Sequence, residues 1–250
     1  MKILVPVKRV PDPYGKVRLT PDGRIDDSDI KWVVNPFDEI ALEEAVRIRE
    51  SGRDVEIVAI AIGGPEWEEQ MRAALAMGAD RGILLLDDGP TDPTVVSHLL
   101  AAVFEREKPD LILMGKQAID DDYNQTGQML AARLGIPQAT FASSLEISAD
   151  GSHATVVREV DSGRETIEVS LPAVVTTDLR LNEPRYVALP AIIKARSKPL
   201  EKLESSDFGP RPESRITILR LETPAPRKAG RRVASVDELI DALRNEAKVI

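Results

Sequence analysis

The residues with the best claim to chemistry form one run, GKQAIDDDYNQTGQM, from Gly115 to Met129. It lies between an apolar segment, DLILM (110–114), and an alternating one, QMLAARL (128–134). A strand that turns sharply at Gly115 and opens a helix near Asn124 to Gly127 has the form of a phosphate receiver. Backbone N–H groups in a first helical turn lack partners inside the helix, and the helix dipole favours an anion beside them. Asn124, Gln125 and Thr126 add neutral donors, and Lys116 adds a cation. Asp120, Asp121 and Asp122 argue the other way, because carboxylates repel a phosphate. They fit such a site only if they cap the helix or bind Lys116 while facing away from the ligand. The alternative is an acid-rich helix start with no ligand, and the physics alone leaves both open. Mg²⁺ on the three aspartates is a weaker option, since consecutive acids at a helix start face different directions.

Most other chemistries are absent. There is no cysteine, which excludes disulfides, thiolate nucleophiles and Cys-ligated metals or clusters. His98 and His153 lack metal-ligand spacing, so no metal site is expected, and no catalytic constellation of the Ser-His-Asp kind can be assembled. No glycine-rich loop ends in Gly-Lys-Ser/Thr, and Gly63-Gly64 lacks the G-x-G-x-x-G spacing. That glycine pair marks either a close approach to a nucleotide or a tight turn. Asn35-Pro36-Phe37 sets an aromatic ring beside a helix start, as a ligand neighbour or as a cap with its apolar companion. In RLNEPRYVALPAIIKARSK (180–198), Leu189 precedes a proline and a basic amphipathic turn. It is either a docking anchor or a core residue.

The elements that must position these residues alternate in type. ILVPV (3–7) reads as a buried strand, residues 9–34 as irregular with a small hairpin, and Asn35-Pro36 as a helix start with Asn as cap and Asp38 and Glu39 in the first turn. VEIVAIAI (55–62), a helix over EWEEQMRAALAMG, GILLL (82–86), a helix over 94–107 and DLILMG continue the pattern. Continuous apolar strands imply a mostly parallel, doubly wound α/β sheet with helices on both faces and ligands at the carboxyl ends of its strands. SLEIS, ATVVREV, RETIEVSL and AVVTT follow as shorter strands, the last two expected to add antiparallel strands at the sheet edge. The expected organisation is an α/β nucleotide-binding domain over 1–183, then a recognition loop and C-terminal arm over 184–250. In that arm Ser235 and Glu238 form a capping box for a short amphipathic helix.

Bulk properties bound the partners. With 42% hydrophobic residues the chain holds a proper core, and a net charge of −9 argues against nucleic acid. From Arg185 to Arg232, twelve Lys/Arg face five Asp/Glu, and Tyr186 and Phe208 are the only aromatic residues in the stretch. A solvated or subunit-facing surface suits such an arm better than a nucleic-acid arm. The first strand begins just after Met1-Lys2, which leaves no room for a leader peptide, and no apolar run approaches the ~18 residues of a membrane span. A cytoplasmic protein is expected, or a mitochondrial matrix one in a eukaryote.

Six stretches together resemble the β subunit of the electron transfer flavoproteins: VPVKRVPD (5–12), NPFDEIALEEAVRIRE (35–50), ALAMGADRGI (74–83), GKQAIDDDYNQTGQM (115–129), PQATFAS (137–143) and LPAVVTTDLRLNEPRY (171–186). The last 50 or so residues match loosely. The resemblance implies an adenine nucleotide α-hydrolase-like fold and a heterodimer with an α subunit. It implies one FAD held mainly by α and a structural AMP in β, with no substrate turned over by this subunit. Carried over by motif, the AMP site comprises Pro6, Asn35, Pro36, Asp38, Ile62, and the run Gly115, Lys116, Gln117, Ala118, Ile119, Asp120, Asp121, Asp122, Tyr123, Asn124, Gln125 and Thr126. Pro6 and Ile62 stand where relatives carry small residues or cysteine, so main-chain contacts would survive there and side-chain contacts would not. Phe37 would border the flavin. Leu189 matches the family's anchor for acyl-CoA and related flavin dehydrogenases, and a quinone oxidoreductase is the implied acceptor.

A bifurcating branch of the family holds a second FAD in place of AMP, and its motif resembles Gly-Asp-Thr-Ala-Gln-Val where this chain has Asp121 to Thr126. The AMP-binding branch is therefore the closer one. Two readings compete from outside the family. One is a Mg²⁺-dependent adenine-nucleotide hydrolase or ligase, disfavoured because no pyrophosphatase loop is present. The other is a homodimeric nucleotide sensor with no redox partner.

Overall fold

Strands buried on both faces explain the continuous apolar runs. In the computed structural model, which describes residues 1–226 and 229–250, successive side chains of the first strand part company. Ile3 and Val5 join one core cluster, while Leu4 joins the other. That alternation is the period-two geometry of a strand, here apolar on both sides.

The chain begins with β1 (Lys2–Pro6), β2 (Arg9–Pro11), the short β3 (Arg18–Leu19) and β4 (Ile25–Asp26), and β5 (Trp32–Val34). The pairs β2–β5 and β3–β4 are small antiparallel ribbons. Then come α1 (Pro36–Glu50), β6 (Glu56–Gly63), α2 (Glu68–Met77), β7 (Arg81–Leu86), α3 (Pro93–Glu107), β8 (Leu111–Gly115) and α4 (Thr126–Leu134). β9 (Gln138–Ile147), β10 (His153–Val160), β11 (Gly163–Ser170) and β12 (Ala173–Thr177) follow, and then α5 (Leu189–Ala195), β13 (Leu200–Glu204) and α6 (Val236–Asp241).

One nine-stranded sheet runs in the order β11-β10-β9-β12-β8-β1-β6-β7-β13. Every pairing from β9 across to β13 is parallel. Helices α1 and α2 bury Leu42, Val46, Met71 and Leu75 on one face, and α3 and α4 bury Val95, Leu99, Val103 and Leu130 on the other. From β1 the chain moves outward through β6 and β7, then crosses back to place β8 on β1's other side. The sheet therefore has a topological switch point between β1 and β8, where doubly wound folds bind their ligands.

Two expectations need correction. AVVTT is not an antiparallel edge strand: β12 is wholly buried and lies parallel between β8 and β9. The antiparallel edge is made by β10 and β11. A short run of apolar β-branched residues, with no polar alternation, was the sign of an inner strand. The sheet also does not end at residue 183, because β13 pairs parallel with β7 and α5 packs on α2. The expected boundary at 184 cuts through the body of the fold, and Leu200 and Leu203 are the residues that tie the strand down. The capping box does form, with the Glu238 N–H donating to Ser235 Oγ at 3.1 Å. Its return bond comes from the N–H of Ala234 rather than from the cap residue itself.

Replacing Leu200 and Leu203 together by Ser is expected to lower the unfolding free energy by about 2–4 kcal/mol, the cost of exposing two half-buried leucines. The same change at the exposed Ile218 and Leu219 should stay within about 0.5 kcal/mol. Urea unfolding of this subunit alone checks both, and equal effects would remove β13 from the cooperative core.

Candidate functional site

β1 and β8 part at their carboxyl ends, and one carboxylate spans the gap. Asp38, in the first turn of α1, accepts the Lys8 N–H at 2.8 Å and the Gly115 N–H at 3.1 Å. It is buried, and burial pushes its carboxyl up to about 7 against the lowering effect of these hydrogen bonds. Gly115 has no room for a side chain: a Cβ there would lie 2.3 Å from Asp38 Oδ1 and 2.7 Å from Phe37 Cβ. The turn into the 116–125 loop thus depends on Gly for close approach.

Asn35 does not cap α1 with its side chain. It reaches instead across to that loop, donating from Nδ2 to the Gln117 carbonyl at 2.9 Å and accepting the Ile119 N–H at 3.3 Å. The loop then passes through two left-handed residues, Asp122 (φ 56°) and Asn124 (φ 49°), residue types that tolerate this conformation. It enters α4 with Gln125 at the cap position and no side-chain acceptor for the first-turn N–H groups. α3 differs, since Asp92 caps it by accepting the Val95 N–H at 2.9 Å.

The three aspartates are held in place, though not by Lys116. Lys8 Nζ bonds Asp120 at 2.8 Å and Asp121 at 2.6 Å, while Gln117 holds Asp122. Burial draws the Lys8 ammonium down, and the two aspartates outweigh it and leave it raised. Lys116 turns to Asp178 at 2.8 Å, with the Phe141 ring 4.9 Å and the Phe37 ring 5.4 Å from its Nζ. Burial raises the Asp178 carboxyl, but the Lys116 bond leads the interactions that leave it lowered. Among the described residues no cluster of acids, His or Cys is arranged to hold a metal ion.

These residues surround an open cleft at the switch point. Pro6, Asn35, Asp38 and Ile62 line it, as do Gly115 to Ala118, Asp121, and Tyr123 to Thr126. Pro36, Phe37, Ile119, Asp120 and Asp122 do not line it. Leu189 is not part of it; it begins α5, two-thirds exposed. Several cleft residues were not anticipated: Val7 and Lys8 just past β1, Trp67 after β6, and Thr91, Asp92, Pro93 and Val96 at the start of α3. Asp92-Pro93 was a legible helix start, but only the strand order shows that it borders the same cleft. Gly63 has its own reason, since a Cβ there would meet the Trp67 ring at 2.3 Å. The glycine makes room for an indole that walls the cleft.

A model of the electron transfer flavoprotein domain matches residues 22–208. The electron transfer flavoprotein subunit beta of Bradyrhizobium diazoefficiens is 52% identical over 251 residues, covering 100% of both chains. This chain belongs to the electron transfer flavoprotein β-subunit family. The mitochondrial subunit beta of Arabidopsis thaliana is also 52% identical over 251 residues with full coverage of both. The human subunit beta is 45% identical over 256 residues, covering all of this chain and 99% of the human one. An electron transfer flavoprotein β subunit is a carrier component associated with flavin, not an enzyme with its own substrate, and its partner is an α subunit. Among the described residues no helix is long and apolar enough to cross a membrane.

The raised Asp38 carboxyl sets a sign for pH dependence. With a folded value near 7 and an unfolded one near 3.8, its contribution to stability is complete at low pH and is lost as pH rises through 7. Relative to Asp38→Asn, the native protein should therefore lose stability between about pH 4 and 7. Paired urea midpoints across that range provide the check, and a constant difference would mean that Asp38 stays ionised throughout.

Proposed function

We propose that the switch-point cleft holds AMP in a structural role, and that this subunit completes the pocket of one FAD carried mainly by the α subunit. The observation that carries the reading is the uncapped start of α4, facing a cleft whose lysines are both committed to carboxylates. A phosphate would be held there by backbone N–H groups and neutral donors such as Asn124, Gln125 and Thr126, with no demand for a free cation. On the opposite side, Ile60, Ile62, Val96 and Leu100 form an apolar wall suited to a purine. Pro36 and Ile119 support the site from behind, as do Asp120 and Asp122 through their pairing with Lys8 and Gln117.

Phe37 would border the flavin from this side. Its ring is nearly buried here, its carbonyl accepts the Thr177 hydroxyl at 3.0 Å, and Lys116 lies over its face. Bound flavin supplies the redox chemistry, and the protein positions it and excludes competing reactions. Leu189 would dock acyl-CoA and related flavin dehydrogenases, with Ile192 and Ile193 beside it on the exposed face of α5. Electrons would then pass to a quinone oxidoreductase, as part of fatty acid oxidation. Beyond β13, exposed Ile216, Ile218, Leu219 and Leu221 suit an arm that lies against the α subunit. A bacterial cytoplasm or a mitochondrial matrix is the matching compartment.

Co-expression with an α-type subunit, followed by denaturation and chromatography of the released cofactors, tests the assignment. One FAD and one AMP per heterodimer are expected. Two FAD and no AMP would place the chain in the bifurcating branch, and no flavin in a stable complex would end the carrier reading. Asn35→Ala, which frees the 116–125 loop at two hydrogen bonds, should weaken AMP retention by about tenfold or more.

A further inference from the structure

The chain between β12 and β13 is fastened at both ends and, although Val187 and α5 touch the body, presents large apolar side chains to solvent between them. At its start, the buried Glu43 accepts the Arg185 guanidinium at both carboxylate oxygens, Nε to Oε2 at 2.7 Å and Nη2 to Oε1 at 3.1 Å. The Arg185 N–H donates to the same carboxylate at 3.2 Å. Glu50, two turns further along α1, takes the outer edge of that guanidinium at 2.7 and 2.9 Å. Arg47 donates to the Glu183 carbonyl at 3.0 Å, and Asn182 donates to Ile40 O at 3.0 Å and Glu44 Oε2 at 2.9 Å. At the far end, Arg72 of α2 donates to the carbonyls of Ala195 (3.1 Å) and Lys198 (2.8 Å). Lys198 Nζ in turn donates to Leu75 O and Ala79 O at 2.9 and 2.6 Å.

Between these fastenings, Tyr186 is 96% exposed, Leu189 67% and Ile193 60%. Apolar side chains held out in water gain nothing for the fold. Fixing their backbone so firmly, with a charge buried to do it, calls for a reason outside folding stability. An ion pair that buries only Glu43 is a poor source of stability, since desolvating that carboxylate offsets much of the attraction. What the planar guanidinium adds is direction: two carboxylates in one plane fix the heading of the chain as it leaves residue 185. A segment ordered before contact spares its partner the entropy of ordering it.

We propose that Arg185 is a positioning residue for dehydrogenase docking: its clamp between Glu43 and Glu50 holds residues 186–194 in the conformation that presents Leu189. The inference rests on the docking role given to Leu189 above. Neither end of the clamp touches the nucleotide cleft, so its loss should change docking and leave the cofactors alone.

The test uses the cofactor-loaded heterodimer as electron acceptor for an acyl-CoA dehydrogenase supplied with its acyl-CoA. Arg185→Ala should raise the KM for the carrier about tenfold, with kcat within about twofold and an unchanged flavin spectrum. Arg185→Lys, a point charge that cannot span both carboxylates, should recover only part of the loss. Amide exchange over 186–194 should quicken in Arg185→Ala while the sheet stays protected. If that variant yields no heterodimer, Glu50→Gln removes one leg of the clamp and should raise KM about threefold. An unchanged KM in these variants, with a raised KM in Leu189→Ala, would overturn the clamp and leave docking intact. No effect of Leu189→Ala on KM would overturn the docking reading and the inference with it. A fall in kcat with an altered flavin spectrum would make Arg185 a merely structural residue.

Discussion

The Asp38 carboxylate is the constraint on which the site depends. At the switch point β1 and β8 are neighbours, and past Pro6 and Gly115 they have no ladder partners to exchange. Two N–H groups, of Lys8 and Gly115, must find acceptors where the strands diverge. Asp38 supplies one oxygen to each, which fixes the start of α1 midway between the two strand exits. From that placement follow the absence of a side chain at 115, the position of Phe37 and the reach of Asn35 to the following loop. An apolar residue at 38 would leave two donors unpaired. An asparagine would set its own N–H₂ against one of them.

The charges around the site are paired locally, although Lys8 is shared by two aspartates and Asp122 has only a neutral amide. Lys8 with Asp120 and Asp121, and Lys116 with Asp178, are closed sets within a few ångströms of the cleft. Three cations of the basic C-terminal third are likewise tied to the acidic body: Arg185 to Glu43 and Glu50, Lys202 to Glu68, Arg211 to Asp87. Part of the local positive excess visible in the sequence is therefore a set of fastenings between segments. A solvated face was one expectation for it, and these particular cations are instead structural partners.

What could be read in advance was local, and what could not was a matter of strand order. The βα alternation, the helix start at Pro36 and the turn at Gly115 each follow from residues close in sequence. Asn35 looked like a cap because Asn-Pro begins so many helices, yet its amide is held by residues more than eighty positions away. Lys116 stands next to the aspartates in sequence, but the loop's left-handed turns send its side chain to Asp178 and leave the acids to Lys8. β12 was taken for an edge strand, and β13 for part of an arm, because hydropathy reports burial without naming the neighbour. The six-stretch resemblance named several of the residues that line the cleft, but not Val7 and Lys8 on one of its own stretches, nor Thr91 to Val96, which lie outside them.

α1 joins these observations physically. Its fifteen residues span about 22 Å at 1.5 Å per residue. One end carries Phe37 and Asp38 at the cleft, and the other carries Glu43, Arg47 and Glu50 at the root of the exposed segment. A carrier that exchanges partners needs a cofactor site that does not yield and a docking surface that binds weakly and releases quickly. On the proposed assignment, both sit on one helix, buried against the sheet along most of its length, which keeps each in a fixed relation to the other. The side chains at its two ends nevertheless share no hydrogen bonds. Substitutions at the Arg185 clamp and at Asp38 should thus combine additively in stability, as expected of sites that touch no common partner.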